Sequence, residues 1–307
     1  MDRLGAMSLL VQAIDAGSLS AAGRAVGMPL PSVSRKVSDL EAYLGVRLLV
    51  RSTRRLGLTD AGEAYVAEAR RILELVGDAE RGASGEYSAP RGELVLSAPV
   101  MFGRLHVLPL VVEFLARYPE IDVRLALSDR NVHLVDEHVD MAVRVGELPD
   151  SSMTATRVGL VRHRVCASPA FLARNGTPRS PADLGTMPCV AHQVVAPPET
   201  WPFRAPGARS DMQVPVRIRL SVGTAEAAVD AAVAGIGLTR LISYQVAGAI
   251  AEGRLVPVLE QYERAPMPVS LLHAAQGRMP LKMRTFLDFA APRLRELLAE
   301  PVSPRLE

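Results

Sequence analysis

Residues 18–44 read SLSAAGRAVGMPLPSVSRKVSDLEAYL, and this segment predicts two helices joined by a tight turn. Ser18 is a good N-cap for a short, alanine-rich helix, and Gly27 can end that helix in the left-handed conformation. The second helix is predicted over residues 30–44, since a proline is tolerated in its first turn. With an amphipathic helix over residues 4–14 before them, these elements have the pattern of a helix-turn-helix, whose second helix enters the major groove of DNA.

The second predicted helix has a buried face and an exposed face. Its apolar stripe repeats at helical spacing and comprises Val33, Val37, Leu40 and Leu44. Hydroxyl and basic side chains near its start stay exposed, and such groups bind phosphates and base edges. Residues 46–59 then predict two short strands around the basic segment RSTRR at 51–55. This region is interpreted as a basic wing suited to backbone or minor-groove contact.

Positive charge is concentrated at this end of the chain. Residues 1–60 contain eight of the 35 basic and five of the 33 acidic residues, although the formal net charge of the whole chain is only +2. Six of the eight are Arg35, Lys36, Arg47, Arg51, Arg54 and Arg55. Such clustering favours a phosphate-facing surface, and an ordinary solvated face is the alternative when charge is considered alone.

These motifs resemble the winged helix-turn-helix of LysR-type transcriptional regulators. The resemblance is carried by residues 18–27, 31–41, 44–49 and 51–62, nearly all of the first 62 positions. It implies that Ser34 and Arg35 contact the groove, that Pro31 approaches the bases and that Arg54 is the wing contact. The candidate DNA-binding residues are Ser18, Leu30, Pro31, Ser32, Ser34, Arg35, Lys36, Arg51, Arg54 and Arg55.

The sequence departs from the family pattern at three places. Gly23 stands where alanine is usual, which is expected to weaken that helix by about 1 kcal/mol. Leu49 replaces a phenylalanine of the wing core. Pro29 and Leu30 replace an N-capping hydroxyl residue and a base-reading glutamine, so Leu30 is left to pack on a thymine methyl group.

A long helix is predicted after the wing, from Asp60 to about Gly82, with Thr59 as its cap. Apolar residues recur along it at spacings of three or four, close to a heptad seam. In LysR-type proteins the corresponding helix pairs with a second subunit, which implies a homodimer or homotetramer. The alternative is that it packs on its own chain. The predicted dimer-contact residues are Tyr65, Ile72, Leu75, Val76 and Ala79.

Strand-like and helical runs alternate from Gly92 onward, which indicates parallel sheets with helices on their faces. The predicted strands span residues 94–98, 121–127, 139–145 and 214–222, and the predicted helices span 103–117, 132–137, 224–234 and 281–298. The family's version is a two-lobed α/β fold like that of periplasmic binding proteins. The chain is expected to cross between the lobes near Val165–Ser168 and Pro266–Leu271.

Three domains are expected in this mainly α/β chain. Residues 1–59 form the winged helix-turn-helix, residues 60–88 the linker helix and hinge, and residues 89–300 the effector-binding domain. Within the last, lobe I comprises about 89–165 and 268–300, and lobe II about 166–267.

A ligand cleft is expected beyond the carboxyl ends of the strands, where helix N-termini favour anions. Arg144 and these helix starts suit a small organic acid as the hypothesised effector. The alternatives are that Arg144 pairs with a structural carboxylate, that His192 is a core residue and that Ser97 only caps a helix. The candidate effector contacts are Ser97, Pro99, Val100, Phe102, Ser128, Arg144, Gly146, His192 and Thr224.

Other chemistry lacks a signature in this sequence. His133, Glu137 and His138 do not have the spacing of a known zinc motif, so no metal site is predicted. Cys166 and Cys189 stand in apolar, strand-like contexts, which disfavours a redox switch. No cofactor, catalytic residue, membrane span or secretory signal is expected, and the compartment is predicted to be the cytoplasm.

The leading interpretation is therefore a regulator rather than an enzyme. It would bind a double-stranded DNA operator and itself, respond to a small-molecule effector and contact RNA polymerase. The alternatives are a ligand-binding protein whose first domain only mediates oligomerisation, an enzyme that uses the cleft, and a peroxide-sensing switch.

Overall fold

The computed structural model describes residues 2–51, 56–83, 89–129, 139–148, 153–192, 200–274 and 279–299. Its internal contacts divide the chain into two compact units. Unit 1 comprises residues 1–90 with 278–281, and unit 2 comprises residues 91–277 with 282–307.

Unit 1 is mainly helical. Its elements are α1 (Arg3–Asp15), α2 (Leu19–Ala25), α3 (Leu30–Leu44), β1 (Leu49–Arg51), β2 (Leu56–Leu58) and α4 (Asp60–Ala83). The predicted spans of the first three helices agree with these bounds to within one residue. The core of unit 1 is built from α1, α3, the start of β1 and α4, and includes Leu10, Val37, Leu40, Leu48 and Val66.

Gly23 is required by packing, which corrects the expectation that it only weakens α2. A Cβ atom at Gly23 would lie 2.6 Å from the carbonyl oxygen of Met28 and 3.3 Å from Cγ2 of Val33. The turn approaches this closely because the Met28 amide donates to the Gly23 carbonyl at 2.8 Å. Glycine therefore allows the turn to close against α3.

The first part of unit 2 forms most of lobe I. Its elements are β3 (Gly92–Ala98), α5 (Val100–Phe102), a π-helical turn (Gly103–Val107), α6 (Leu108–Arg117), β4 (Ile121–Leu127), β5 (Met141–Val145) and β6 (Met153–Val161). The helix predicted from Gly103 begins earlier, at Val100, because Pro99 ends the preceding strand and directly precedes the helix. The helix predicted over 132–137 lies outside the described residues.

Lobe II follows. Its elements are β7 (His163–Ala167), α7 (Pro169–Asn175), a 3-10 turn (Pro181–Gly185), β8 (Pro188–His192), β9 (Thr200–Phe203), β10 (Met212–Pro215), β11 (Arg217–Val222), α8 (Ala225–Val233), β12 (Leu238–Ile242), α9 (Ser243–Ala251), β13 (Val256–Val258) and a second 3-10 turn (Glu260–Tyr262). The single strand predicted over 214–222 is thus two strands. The first ends at Pro215, which cannot donate a hydrogen bond, and after Val216 the chain changes its pairing partner from β9 to β8.

The chain returns to lobe I through β14 (Met267–Ala274) and α10 (Leu281–Leu297). The strand order is β4-β3-β5-β14-β6 in lobe I and β11-β8-β12-β7-β13 in lobe II. Both crossings exist, but the first lies at Arg162 rather than at Val165–Ser168, because β6 ends at Val161 and β7 begins at His163. The second lies between Tyr262 and Met267.

In the described part of the chain, no single helix has the length and apolarity needed to cross a membrane. The pair α1 and α2 passes such a test together by length and composition only, across a bend of 115°.

Candidate nucleic-acid interface and candidate effector cleft

The helix-turn-helix geometry follows from local capping. The Ser18 hydroxyl accepts a hydrogen bond from the Ala21 amide at 3.1 Å and so begins α2. Gly27 has a φ of 65° and ends it. Pro29 precedes α3, the second or reading helix of the motif, and provides no side-chain cap. The start of the reading helix therefore carries no capping hydroxyl.

The front of α3 exposes some of the predicted contact residues fully and others only in part. Pro31, Ser32 and Arg35 are exposed, whereas Ser34 and Lys36 are half-buried beside the buried stripe. Leu30 is 47% exposed and therefore lies outside the core of unit 1.

The wing is an antiparallel pair in which Leu49 lies opposite Leu58 and Arg51 lies opposite Leu56. Leu49 is buried at the position of the family's phenylalanine. Arg54 and Arg55 lie outside the described residues, as does the side chain of Arg51.

Two contacts join the wing to its neighbouring helices, and the sequence analysis missed the first. The first is made by Glu41, whose Oε1 accepts hydrogen bonds from the amides of Leu48 and Leu49 at 2.8 and 3.0 Å. Thr59 caps α4 as predicted, because its hydroxyl accepts from the Gly62 amide at 3.0 Å.

The linker helix α4 has two apolar faces. Val66 and Ala69 are buried in the core of unit 1, and Tyr65 is packed against that core as well. Tyr65, one of the predicted dimer contacts, therefore packs at least in part on its own chain. Ile72 is 39% exposed, and Ala79 is also exposed. Leu75 and Val76 are half-buried.

The two lobes of unit 2 meet at an aromatic cluster. The ring of Phe102, in lobe I, lies 5.2 Å from that of Tyr244, in lobe II, in an edge-to-face arrangement. His106 lies 4.8 Å from Phe102 and 5.9 Å from Tyr244. Burial lowers the pKa of His106, which favours its neutral form. Tyr244 was not predicted, since only the fold brings α9 to α5.

Opposite charges also face each other across the lobes. Arg104 Nε lies 3.7 Å from Oε1 of Glu226 in the first turn of α8. A pocket beside this pair is lined by both lobes and has a volume of about 210 Å³. Its polar lining residues include Arg104, Glu226, Asp230, Gln245 and Arg254.

The helix start that was expected to receive an anion is already bound to a carboxylate. Oδ1 of Asp129 accepts a hydrogen bond from the Val100 amide at 3.0 Å. The other helix start is capped by its own Thr224, whose hydroxyl accepts from the Ala227 amide at 3.3 Å. An anionic effector would therefore compete with Asp129 for the Val100 amide.

The remaining predicted effector contacts are dispersed. Ser97 is 1% exposed and lines a small, mainly apolar space inside lobe I together with residues such as Val107 and Phe286. Arg144 donates to the Val143 carbonyl at 3.1 Å. Gly146 has a φ of 107° and donates to the Pro268 carbonyl.

Ser128 and His192 both lie at the carboxyl ends of strands. The Ser128 amide donates to the Ala98 carbonyl at 3.0 Å. His192 ends β8, and its buried Nε2 has no hydrogen-bond partner among the described residues. Burial lowers the pKa of His192, while the charges of Asp129 and Glu226 oppose this change. His192 therefore faces groups from both lobes.

The cysteines and the described acidic and histidine residues show no reactive grouping. Cys166 and Cys189 are both buried and free. Burial raises the pKa of Cys166 to about 12, which suppresses the reactive thiolate. Among the described residues, no three His, Cys, Asp or Glu side chains are grouped to hold a metal ion. His133, Glu137 and His138 lie outside them.

Comparison with known proteins matches both parts of this architecture. The model of the bacterial regulatory helix-turn-helix protein, lysR family, matches residues 4–63, and that of the LysR substrate binding domain matches residues 88–295. The probable HTH-type transcriptional regulator LtrA of Klebsiella pneumoniae is 33% identical over 301 residues, 97% of each chain. The HTH-type transcriptional regulator CrgA of Neisseria meningitidis serogroup C is 36% identical over 294 residues, which are 94% of this chain and 96% of the relative.

Comparison with solved structures gives the same family. The structure of CrgA, a LysR-type transcriptional regulator from Neisseria meningitidis, is similar with a TM-score of 0.60 and 32% identity, over 94% of this chain and 98% of that one. The chain belongs to the LysR family of transcriptional regulators, which are not enzymes, and carries the family's helix-turn-helix and effector-binding domain.

Proposed function

We propose that the chain binds a DNA operator as a dimer or tetramer, and that a small molecule between lobes I and II alters this binding or the bending of the DNA. The domain bounds of 1–59, 60–88 and 89–300 are part of the proposal. An operator-bound regulator of this kind would act in the cytoplasm and contact RNA polymerase at the promoter.

The observation that carries the DNA-binding proposal is the exposed front of α3. Ser32 and Arg35 point outward there while the stripe around Val33 is buried. Arginine can make two hydrogen bonds to a guanine edge, so Arg35 is proposed as the main base contact. The proposed supporting contacts are Ser18, Leu30, Pro31, Ser32, Ser34, Lys36, Arg51, Arg54 and Arg55.

The test is footprinting on the DNA that flanks the chain's own gene. Wild-type protein is expected to protect a discrete site, and Arg35→Ala is expected to lose it. Arg179→Ala is the matched control, because it removes one exposed arginine from lobe II. Equal protection of all sequences by the wild type would overturn the proposal.

The dimer proposal rests on the exposed apolar face of α4. Ile72, Leu75, Val76 and Ala79 extend beyond the segment that packs on α1, and a helix with such a face requires a partner. Sedimentation equilibrium is expected to show a dimer or tetramer for the wild type and a smaller species for Ile72→Glu. Glu80→Gln, on the exposed side of the same helix, is the control.

The effector proposal rests on the residues that face one another across the lobes. Phe102 and Arg104 of lobe I contact Tyr244 and Glu226 of lobe II, so a ligand between them changes contacts that depend on lobe separation. The proposed contacts remain Ser97, Pro99, Val100, Phe102, Ser128, Arg144, Gly146, His192 and Thr224. A small organic acid remains the proposed effector, on condition that it displaces Asp129 from the Val100 amide.

A screen of small acids and their amides by thermal shift, followed by footprinting with each hit, tests this proposal. A hit that stabilises the protein and alters the footprint supports it. Ligands that stabilise the protein without changing operator binding would contradict the regulatory step.

A further inference from the structure

The entry to the wing is attached to the end of the reading helix by one side chain. Glu41 lies near the end of α3, and a single carboxylate oxygen accepts from two consecutive amides, those of Leu48 and Leu49. Leu48 and Leu49 are 1% and 5% exposed, so neither amide has ready access to water as a substitute. A hydrogen bond to a charged acceptor is stronger than one between neutral groups.

The same short segment is held on its other side by the start of α4. The Thr59 amide donates to the Leu48 carbonyl at 3.0 Å, and the Thr59 hydroxyl donates to the Arg47 carbonyl at 2.7 Å. A Cβ atom at Gly62 would lie 2.0 Å from the Leu48 carbonyl oxygen, so only glycine permits this approach. The Leu48 peptide is therefore clamped between α3 and α4.

We infer that Glu41 is a positioning residue for DNA binding: it sets the wing relative to α3 so that both reach the DNA at once. The inference rests on the proposed operator binding. Glu41 itself is not among the proposed base contacts. Its negative charge, beside a surface rich in arginine, is occupied by the two amides rather than opposing the phosphates.

The geometry separates two sets of DNA contacts. The exposed front of α3 is built by residues 30–36 and their buried stripe, which do not depend on the Glu41 carboxylate. The wing begins at Leu49, whose amide is one of the two that Glu41 binds. Loss of the carboxylate should therefore release the wing and leave the reading helix in place.

The experiment uses the full chain on its footprinted operator, with two probes. Hydroxyl-radical cleavage reports the wing positions that flank each half-site, and guanine methylation reports the major-groove contacts of α3. Glu41→Ala is expected to lose the flanking protection but keep the guanine protection. The slope of log K against log[salt] should become shallower, by about 0.9 for each phosphate contact that the wing loses.

Two further variants make the result specific. Glu41→Gln keeps an acceptor oxygen and is expected to restore most of the flanking protection, which would assign the positioning to the hydrogen bonds rather than to the charge. The guanine protection that Glu41→Ala keeps is what a general loss of stability would not predict. Asp39→Ala also removes one negative charge, from an exposed position of α3. It is expected to leave the flanking protection and the guanine protection unchanged.

Each contrary outcome is distinct. If the wild type protects a discrete site and Glu41→Ala keeps its flanking protection, the inference about Glu41 is wrong and operator binding stands. If Glu41→Ala and Glu41→Gln both lose the flanking protection and the guanine protection together, Glu41 acts on the whole domain and not on the wing. If the wild type protects no discrete site, operator binding fails and the inference fails with it.

Discussion

The Asp129 carboxylate accepts a hydrogen bond from the Val100 amide at 3.0 Å, so a residue that follows β4 occupies the helix start that follows β3. β3 and β4 are parallel neighbours, and their carboxyl ends therefore lie at the same edge of the sheet. The chain's own carboxylate thus holds the position where an anionic ligand was expected.

Asp129→Asn is expected to raise the affinity for small carboxylic acids about two- to fivefold. A like charge at an exposed helix start disfavours a second anion by about 0.3–1 kcal/mol, and the variant removes it. Calorimetric titration with acids and their matching amides checks the prediction. Asp122→Asn, on the exposed side of β4, is the control, and an equal gain for acids and amides would argue against it.

Gly23→Ala is expected to destabilise unit 1 by about 1–3 kcal/mol, as overpacking does, although alanine favours a helix by about 1 kcal/mol. The added Cβ atom meets the backbone carbonyl of Met28 at 2.6 Å, and a backbone cannot swing aside as a flexible side chain can. Amide hydrogen exchange of α2 and α3 measures the effect. Gly248→Ala in α9 is the opposite control, since nothing lies within 4 Å of that Cβ and the change should stabilise its helix. A gain of protection in both variants would refute the packing argument.

Glu263→Gln is expected to raise the free energy of unfolding of unit 2, because burial raises the pKa of Glu263 in the folded protein and its ionised form is therefore less favourable there than in the unfolded chain. Its side chain is 10% exposed and lies 3.6 Å from Arg162 and 3.8 Å from Arg164, so it joins the two crossings between the lobes. Urea denaturation monitored by the fluorescence of Trp201, the single tryptophan, reports on unit 2.

Glu260→Gln is the matched control for this change. Glu260 also pairs with Arg164, but its side chain is 55% exposed, and exposed pairs contribute at most about 1 kcal/mol. If Glu260→Gln raised the free energy of unfolding as much as Glu263→Gln does, burial at the crossings would not be the cause.

His163 is expected to make unit 2 less stable as the pH falls from about 6.5 towards 3. Burial, with the charges of Arg240 and Arg264, lowers the pKa of His163 to about 3 in the folded protein. In the unfolded chain the pKa of a histidine is about 6.5. Between these values only the unfolded chain binds the proton, so stability falls by up to about 1.4 kcal/mol per pH unit. His163→Gln cannot take up this proton and should show a shallower pH dependence by the same fluorescence assay. Parallel slopes for wild type and variant would contradict the assignment.

Local patterns predicted the first unit well. The bounds of α3, the Ser18 cap and the Thr59 cap all depend on residues within a few positions of one another, and helical periodicity and capping act over that range. The alternation of strands and helices predicted the α/β character of the lobes, although their sheets are mixed rather than parallel, since β14 pairs antiparallel with β5 and β6. The family resemblance implied the two crossings, and the first lies at Arg162, before the predicted range. The family's function followed from residues 18–62 because the reading helix and wing are contiguous in the chain.

Tertiary structure alone decided the rest, because the deciding atoms are distant in sequence or belong to the backbone. The Asp129 carboxylate accepts from the Val100 amide, 29 positions away in the chain. The rings of Phe102 and Tyr244 come into contact only because the fold packs α9 against lobe I. The requirement for glycine at position 23 comes from a carbonyl oxygen, and a residue pattern does not show where that oxygen points. The sequence assigned Glu41 no partner, and only the folded chain brings the Leu48 and Leu49 amides to its carboxylate.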